Sequence, residues 1–367
     1  MFYFCILLAV KFLRLITLNY FIFSNILLWI FTVLIIFLIK APEILNKVTI
    51  MKFSSRINSF RSRPELFNAD NKMDTCDLIT RMGNVDGLTH IELNYPEHFI
   101  GQDKKIIKQC ITDNGLKVSG IALRYNKDFI DGEFTNPNTA LRDKAIETTL
   151  EAAEVCKFLG GTTVTLWFGY DGYDYPFQQD YFRAYELLVN ALRKVTSAHP
   201  DIQFSFEYKP YEPRTFSYIS DVSSTLMLID DVGNDNLGIT LDFCHMIMKK
   251  ENPAFSLFQS ARKNRLVGFH LNDGYGHFDD GLMLGSVHLL QTLEYIYYAK
   301  RVNFNGLIYF DTFPSREDPV AECALNIRMY KALSDFIDQL SIPEIEAMIK
   351  SQDALKVQGM LLSMIAK

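Results

Sequence analysis

The chain is 367 residues long, with 49% hydrophobic and 22% charged side chains, a globular composition that excludes disordered and collagen-like classes. Its 37 basic and 43 acidic residues give a formal charge of −6 with no long basic run. The phosphate-neutralising surface that DNA or RNA binding draws on is therefore missing, nucleic acid is not an expected partner, and small substrates come forward.

The head of the chain is a different material. Residues 1–50 hold only Lys11, Arg14, Lys40, Lys47 and Glu43, and no charge interrupts Leu15 to Ile39. That stretch is long enough for a helix to cross ~30 Å of hydrocarbon, with basic residues on both flanks. As a signal peptide it is poor, being too long and lacking a small-residue cleavage site. Two readings stay open: an N-terminal hydrophobic helix serving as a transmembrane anchor, or an artefactual extension. Its Phe, Ile, Leu, Asn, Lys and Tyr have AT-rich codons, and it stops just before Met51-Lys52-Phe53-Ser54, which reads as a start. The protein is membrane-anchored through residues 15–39 under the first reading and cytoplasmic under the second. The remainder, formally −9, is expected to form a catalytic domain over 51–335 and a C-terminal helical extension over 336–367.

Cys5, Cys76, Cys110, Cys156, Cys244 and Cys323 form no CxxC pair, and several sit in apolar periodic segments. Separate buried thiols in a reducing compartment are the expectation. The chain has no Asn-x-Ser/Thr acceptor, in keeping with that view.

Beyond Met51, short β-rich runs alternate with helical patterns. Strands are predicted at Phe53–Phe60, Leu88–Asn94, Val118–Tyr125, Thr163–Phe168, Ile202–Tyr208, Leu237–Phe243, Leu266–Asn272 and Leu307–Thr312. Most are near-continuous apolar runs, as parallel strands buried on both faces require. Between them, Leu141–Leu159 and Asp180–Ser197 repeat apolar residues at spacings of three and four. Further helices are predicted at Cys76–Met82, Asp103–Asn114, Ser217–Asp230, Ala254–Lys263, Ser286–Arg301 and Pro319–Leu333, with an extra helical segment at Pro343–Ala366. Eight strands alternating with eight helices count out an α/β fold, the (β/α)8 TIM barrel. A doubly wound sheet would want a Gly-rich phosphate loop after its first strand, and residues 59–63 contain none.

In such a barrel the active site lies at the C-terminal ends of the strands. Four consecutive strands end in Glu207, Asp242, His270 and Asp311. Three carboxylates and an imidazole in one mouth repel each other unless a divalent ion holds them, and an O₃N set favours Mn²⁺, Mg²⁺ or Co²⁺, with Zn²⁺ also admitted. The bland alternative is that each group is satisfied separately at a loop entrance. Lys209, two residues beyond Glu207, points into the same mouth and suits a substrate oxygen. His245 follows Asp242 by three residues, where it could orient a hydroxyl or bind a second cation. Asp273, Asp279 and Asp280 lie in a Gly-bounded loop that could complete that second ion, although Asp beside Gly is also ordinary turn chemistry. Strand four runs into Trp167-Phe168-Gly-Tyr170-Asp-Gly-Tyr173-Asp-Tyr175, whose rings, Trp167 and Tyr173 above all, suit the C–H face of a sugar. Arg214 could contact substrate oxygens or pair with Glu212. The absence of an evident Arg/Lys cluster at the strand ends argues for an unphosphorylated sugar.

These motifs, over about residues 53–335, resemble the xylose-isomerase-like TIM barrels, a superfamily of sugar isomerases and epimerases. Gly172-Tyr-Asp-Tyr-Pro-Phe177, Glu207-Tyr-Lys-Pro210, Asp242-Phe-Cys-His245 and His270-Leu-Asn-Asp273 are most similar to metal-dependent L-rhamnose isomerase. The resemblance implies that Glu207, Asp242, His270 and Asp311 form a first metal site, and that Lys209 and His245 take the places of a substrate-facing lysine and a second-site histidine. The resemblance also implies an Asp-x-Asp pair for the second site; here His277-Phe-Asp279 aligns with it, leaving Asp279 as ligand and the first carboxylate replaced. The implied reaction is metal-dependent aldose–ketose isomerisation of a sugar, with Glu207 or Asp311, or a coordinated water, moving the proton, in a homo-oligomer. Alternatives are epimerisation, a non-catalytic sugar-binding barrel, and a metal-dependent endonuclease, which the acidic charge disfavours.

Overall fold

Eight apolar runs of four to seven residues become the parallel strands of a barrel. In the computed structural model, which describes residues 51–67 and 72–366, these are β1 (Lys52–Ser55), β2 (His90–Tyr95), β3 (Lys117–Leu123), β4 (Thr163–Leu166), β5 (Gln203–Phe206), β6 (Leu237–Asp242), β7 (Leu266–Leu271) and β8 (Leu307–Phe310). The hydrophobic helix expected over residues 15–39 lies outside the described residues, and none of the described helices is long and apolar enough to cross a membrane. The chain divides at Ile50–Met51 into two units, and the barrel occupies the second.

The hydrogen-bonded order is β1-β8-β7-β6-β5-β4-β3-β2, each neighbour parallel. The seam between β1 and β2 is closed by a single parallel bridge, Arg56 to Glu92, and by three hydrogen bonds between Phe53 and Thr89. Every residue of β6 is buried, as its unbroken apolar run requires.

The helices are α1 (Thr75–Gly83), α2 (Lys104–Asp113), α3 (Thr139–Leu159), α4 (Tyr181–Ala198), α5 (Val222–Val232), α6 (Phe243–Lys249), α7 (Pro253–Arg262), α8 (Leu289–Arg301), α9 (Pro319–Gln339), α10 (Ile342–Ser351) and α11 (Ala354–Ile365). Short polar side chains start them: Asp74, Asp103, Asn138, Asp180, Asp221, Asn252 and Asp318 each accept a backbone N–H of the first turn. Their apolar faces pack on the strands around Ile91, Ile121, Phe204, Ile239, Phe269 and Phe310.

Four differences from the sequence reading have physical causes. β1 stops at Ser55 and the chain turns into a 3₁₀ segment, Ile57–Arg61, instead of extending to Phe60. Residues 243–249 form the unpredicted α6, because Asp242 ends a strand and caps a helix at once. The last barrel helix continues to Gln339, and the extension beyond it is two helices, not one, broken where Gln352 adopts φ 52° before the Asp353 cap. Cys76 and Cys110, expected as separate thiols, are bonded to each other with Cα atoms 5.8 Å apart, tying α1 to α2; Cys156, Cys244 and Cys323 are free and buried.

Candidate metal centre

Parallel strands place equivalent positions side by side, so the polar residue at the end of each apolar run enters a shared space. Asp242 is in register with His270 across β6 and β7, while Asp311 N donates to Leu271 O and Glu207 N to Leu166 O. The result is a buried cluster in which Glu207, Asp242, His270 and Asp311 each present one ligand atom, all within 4.8 Å of one another.

The cluster is braced from outside. Asn272 Nδ2 donates to Asp242 Oδ2 (3.0 Å) and to Asp311 O (3.1 Å), and its Oδ1 accepts Cys244 N (2.8 Å). Asp242 Oδ1 also accepts His245 N at 2.9 Å. The His270 ring stacks on Tyr309 at 4.3 Å, and its Nδ1 lies 3.0 Å from Glu207 Oε1. Arg56 Nε approaches Asp311 Oδ1 at 3.4 Å.

Charge in so dry a place perturbs every member. Burial opposes ionisation of Glu207, yet the His270 cation beside it holds its carboxyl down at about 2. Burial likewise opposes the His270 cation, but Glu207 raises the imidazole to about 10. Desolvation dominates at Asp242, which is pushed up to about 7 against the pull of His245. Asp311 is raised by burial, partly offset by Arg56 and His270. Glu207 Oε2 is buried with no hydrogen-bond donor, and Asp311 Oδ1 has no hydrogen bond, only the Arg56 ion pair. Orphaned acceptors cost free energy unless a cation meets them, so this O₃N donor set fits a divalent ion.

A second group adjoins the first. His245 Nδ1 donates to Tyr208 O (2.9 Å), which leaves Nε2 3.3 Å from Asp279 Oδ2. Lys209 Nζ pairs with the same oxygen (3.1 Å) and with Glu212 (2.9 Å). Burial disfavours the His245 cation, but Asp242 and Asp279 raise it to about 9. Burial is also outweighed at Asp279, where His245 and Lys209 hold the carboxyl well below its ordinary range. Asp279 Oδ1 is buried and without a donor.

A cavity of about 380 Å³ is walled by members of both groups, Glu207, Asp311, His245, Asp279 and Lys209, together with Trp167, whereas Asp242 and His270 do not line it. Other expected site residues stand apart from this wall. Tyr173 packs on Phe216 (5.2 Å) in a short antiparallel pairing of Gly172–Tyr173 with Phe216–Ser217. Arg214 pairs with Asp174 (2.8 Å) and donates to Ile130 O, locking loops together. Asp273 is spent on the backbone of Val287 and His288 and on the His288 ring, and Asp280 Oδ2 accepts Tyr275 N. His277, aligned with the missing carboxylate, is exposed. Conversely, the sequence reading passed over Arg56 at the end of β1, Arg124 at the end of β3 and Phe313 after β8, all on the cavity wall. The arginines carry the same signal as the acids, a polar residue closing an apolar run, and correct the expectation that the strand ends lack basic residues.

Comparison with known proteins agrees with this architecture. Residues 84–333 match the family model described as xylose isomerase-like TIM barrel. The xylose isomerase of Thermus thermophilus is 26% identical over 219 residues, covering 58% of this chain and 57% of that protein. A probable sugar isomerase of Mesorhizobium japonicum is 27% identical over 225 residues, covering 59% and 50% respectively. The chain thus spans about half the length of the curated relatives it matches. Among solved structures, a D-allulose 3-epimerase from Methylomonas sp. superposes with a TM-score of 0.59 at 18% identity, covering 79% of this chain and 96% of the other, a likeness of fold.

Proposed function

Because the chain belongs to the xylose isomerase-like TIM barrel family, we propose that it is a divalent-metal-dependent sugar isomerase interconverting an aldose and a ketose, with Mn²⁺ as its ion. One observation carries the reading: four ligand atoms from four consecutive strand ends lie within 4.8 Å of one another, and Glu207 keeps a buried oxygen that no donor meets. The curated relatives named as sugar isomerases support the substrate class.

Glu207, Asp242, His270 and Asp311 would hold the ion, which when bound supplies Lewis acidity toward neighbouring sugar oxygens. The chain's own groups do the rest. The Lys209 ammonium is kept cationic, burial being overcome by Asp279 and Glu212, and donates to a sugar oxygen as negative charge develops there. Asp279 Oδ1 accepts a sugar hydroxyl, while His245 and Lys209 fix its other oxygen. Trp167 offers a flat face to the C–H side of the ring or chain. Glu207 and Asp311 can each give one oxygen to the ion and keep the other to pass a proton between adjacent carbons.

The test is a screen of aldoses and ketoses with EDTA-stripped and Mn²⁺-reloaded protein, with Glu207→Gln as control. Ketose formation that depends on the ion and disappears in the variant is the expected result. Undiminished activity of the variant or of the stripped protein overturns the mechanism, and a C3-epimer as product replaces isomerisation with epimerisation.

A further inference from the structure

Two guanidinium groups on the cavity wall keep most of their N–H groups unused: Arg56 has a single ion pair, to Asp311, and Arg124 has none among the described residues. Arg124 closes β3 and lies over the Trp167 ring at 5.2 Å. Among the described residues the only hydrogen bond of its side chain runs from Nη1 to the carbonyl of its own neighbour, Leu123 (3.1 Å). Among the described residues no carboxylate comes within 4.0 Å of it, whereas Lys209, over the same ring at 5.9 Å, is held by both Asp279 and Glu212. Arg56 closes β1 and rests on Phe313 at 4.7 Å; among the described residues its side chain makes no hydrogen bond and its one ion pair is to Asp311.

β1 and β3 flank β2, so two strand spacings, about 10 Å, separate the backbones that carry these arginines, a span that two long side chains can bridge onto one group. The wall between them is supplied by Asn94, whose Nδ2 donates to Glu97 (3.1 Å). Glu97 is in turn covered by the Asn58 amide (3.0 Å) and by Arg61 (3.7 Å), so it does not serve as the arginines' counter-ion. The acids whose charge acts most on Arg124, Glu207 and Asp311, belong to the candidate metal cluster. A partly enclosed guanidinium with four unused N–H groups is a fork for a planar or tetrahedral oxyanion.

We infer that the substrate carries an anionic group, a carboxylate or a phosphate, bound by Arg124 and Arg56 beside the metal cluster. This rests on the sugar-isomerase reading and narrows it from neutral sugars to sugar acids or sugar phosphates.

The experiment uses the full chain loaded with Mn²⁺ and matched probes in the gluco, galacto and manno series: the neutral hexose, its uronate and its 6-phosphate. Affinity is read by calorimetry and turnover in parallel, for the wild type and for Arg124→Gln, with metal content measured in both. One of the anionic forms is expected to bind at least about tenfold tighter than the neutral hexose, and the variant is expected to lose that preference while its affinity for the neutral hexose and its metal content stay within about twofold. A uronate preference identifies the carboxylate, a 6-phosphate preference the phosphate. Equal affinity for all forms overturns the inference, as does a preference that survives in the variant or a variant whose defect is confined to metal content. Turnover of neutral hexoses without anion preference overturns this inference and leaves the isomerase; Arg124-dependent anion binding without turnover of any form does the reverse.

Discussion

His270 Nδ1 and Glu207 Oε1 stand 3.0 Å apart inside the buried cluster, an imidazolium–carboxylate pair occupying the place where the donor set would receive an ion. Ion binding must therefore displace protons. With His270 raised from 6.5 to about 10 and Asp242 from 3.8 to about 7, both carry protons near pH 6 and both must release them. Between pH 6 and 8 the apparent affinity for Mn²⁺ should rise with pH, with about one to two protons released per ion in calorimetry across buffers of different ionisation enthalpy. A pH-independent affinity contradicts the assignment.

The same shifts set the stability of the ion-free protein. The raised His270 contributes stability fully present below pH 6.5 and lost as pH climbs through about 10, the raised Asp242 costs stability as pH rises from 3.8 through about 7, and the lowered Glu207 contributes above pH 4.5 and fades as pH falls toward 2. Thermal unfolding without metal should give a maximum on the acid side of neutrality, and saturating Mn²⁺ should move the maximum to higher pH.

Asn272 joins Asp242, the Asp311 carbonyl and Cys244 N through one amide. Replacing it with alanine frees a ligand to rotate while leaving all four in the chain. Metal affinity is expected to fall about 10–100-fold, measured by competition with a chelating dye. A loss below about twofold would mean that the strand ends alone hold the geometry.

Lys209→Met removes the ammonium but none of the four ligands. We expect metal content unchanged and kcat lowered by about 10²-fold, the scale of deleting one donor aimed at developing charge. A change confined to KM would make Lys209 a binding group only.

Arg81 is 2% exposed and joins three backbone carbonyls, those of Phe60, Ser62 and Arg63, to Asp318 at the start of α9. Arg81→Met strands those carbonyls and should destabilise the fold by about 2–4 kcal/mol, read by denaturant titration. Its side-chain partners include none of the four cluster residues, so metal affinity per folded molecule should be preserved.

The barrel and the convergence of the four strand-end residues were legible because both follow from local pattern. Buried parallel strands write themselves as unbroken apolar runs, and whatever polar residue ends such a run enters the mouth, which is how Glu207, Asp242, His270 and Asp311 announce themselves. Arg56 and Arg124 obey the same rule. They were hidden because the predicted strands ran past them, to Phe60 and Tyr125, placing both arginines inside a run instead of just beyond its end at Ser55 and Leu123. Other features depend on tertiary encounters that no spacing encodes. Tyr173 leaves the mouth because its loop pairs with residues 216–217, an approach so close that a Cβ on Gly172 would lie 2.2 Å from Phe216 O. Cys76 and Cys110, 34 residues apart, meet only because α1 and α2 pack together.

The lone bridge that closes β1 onto β2 is made by the backbone of Arg56, whose side chain also reaches Asp311 just beyond β8. A molecule gripping that guanidinium therefore fastens the cylinder at its weakest joint, and amide protons along residues 52–56 should exchange with deuterium more slowly once it has docked. Occupancy would be felt as tightening of the whole hoop, so that the first staves to loosen in the free protein are the last to do so in the loaded one.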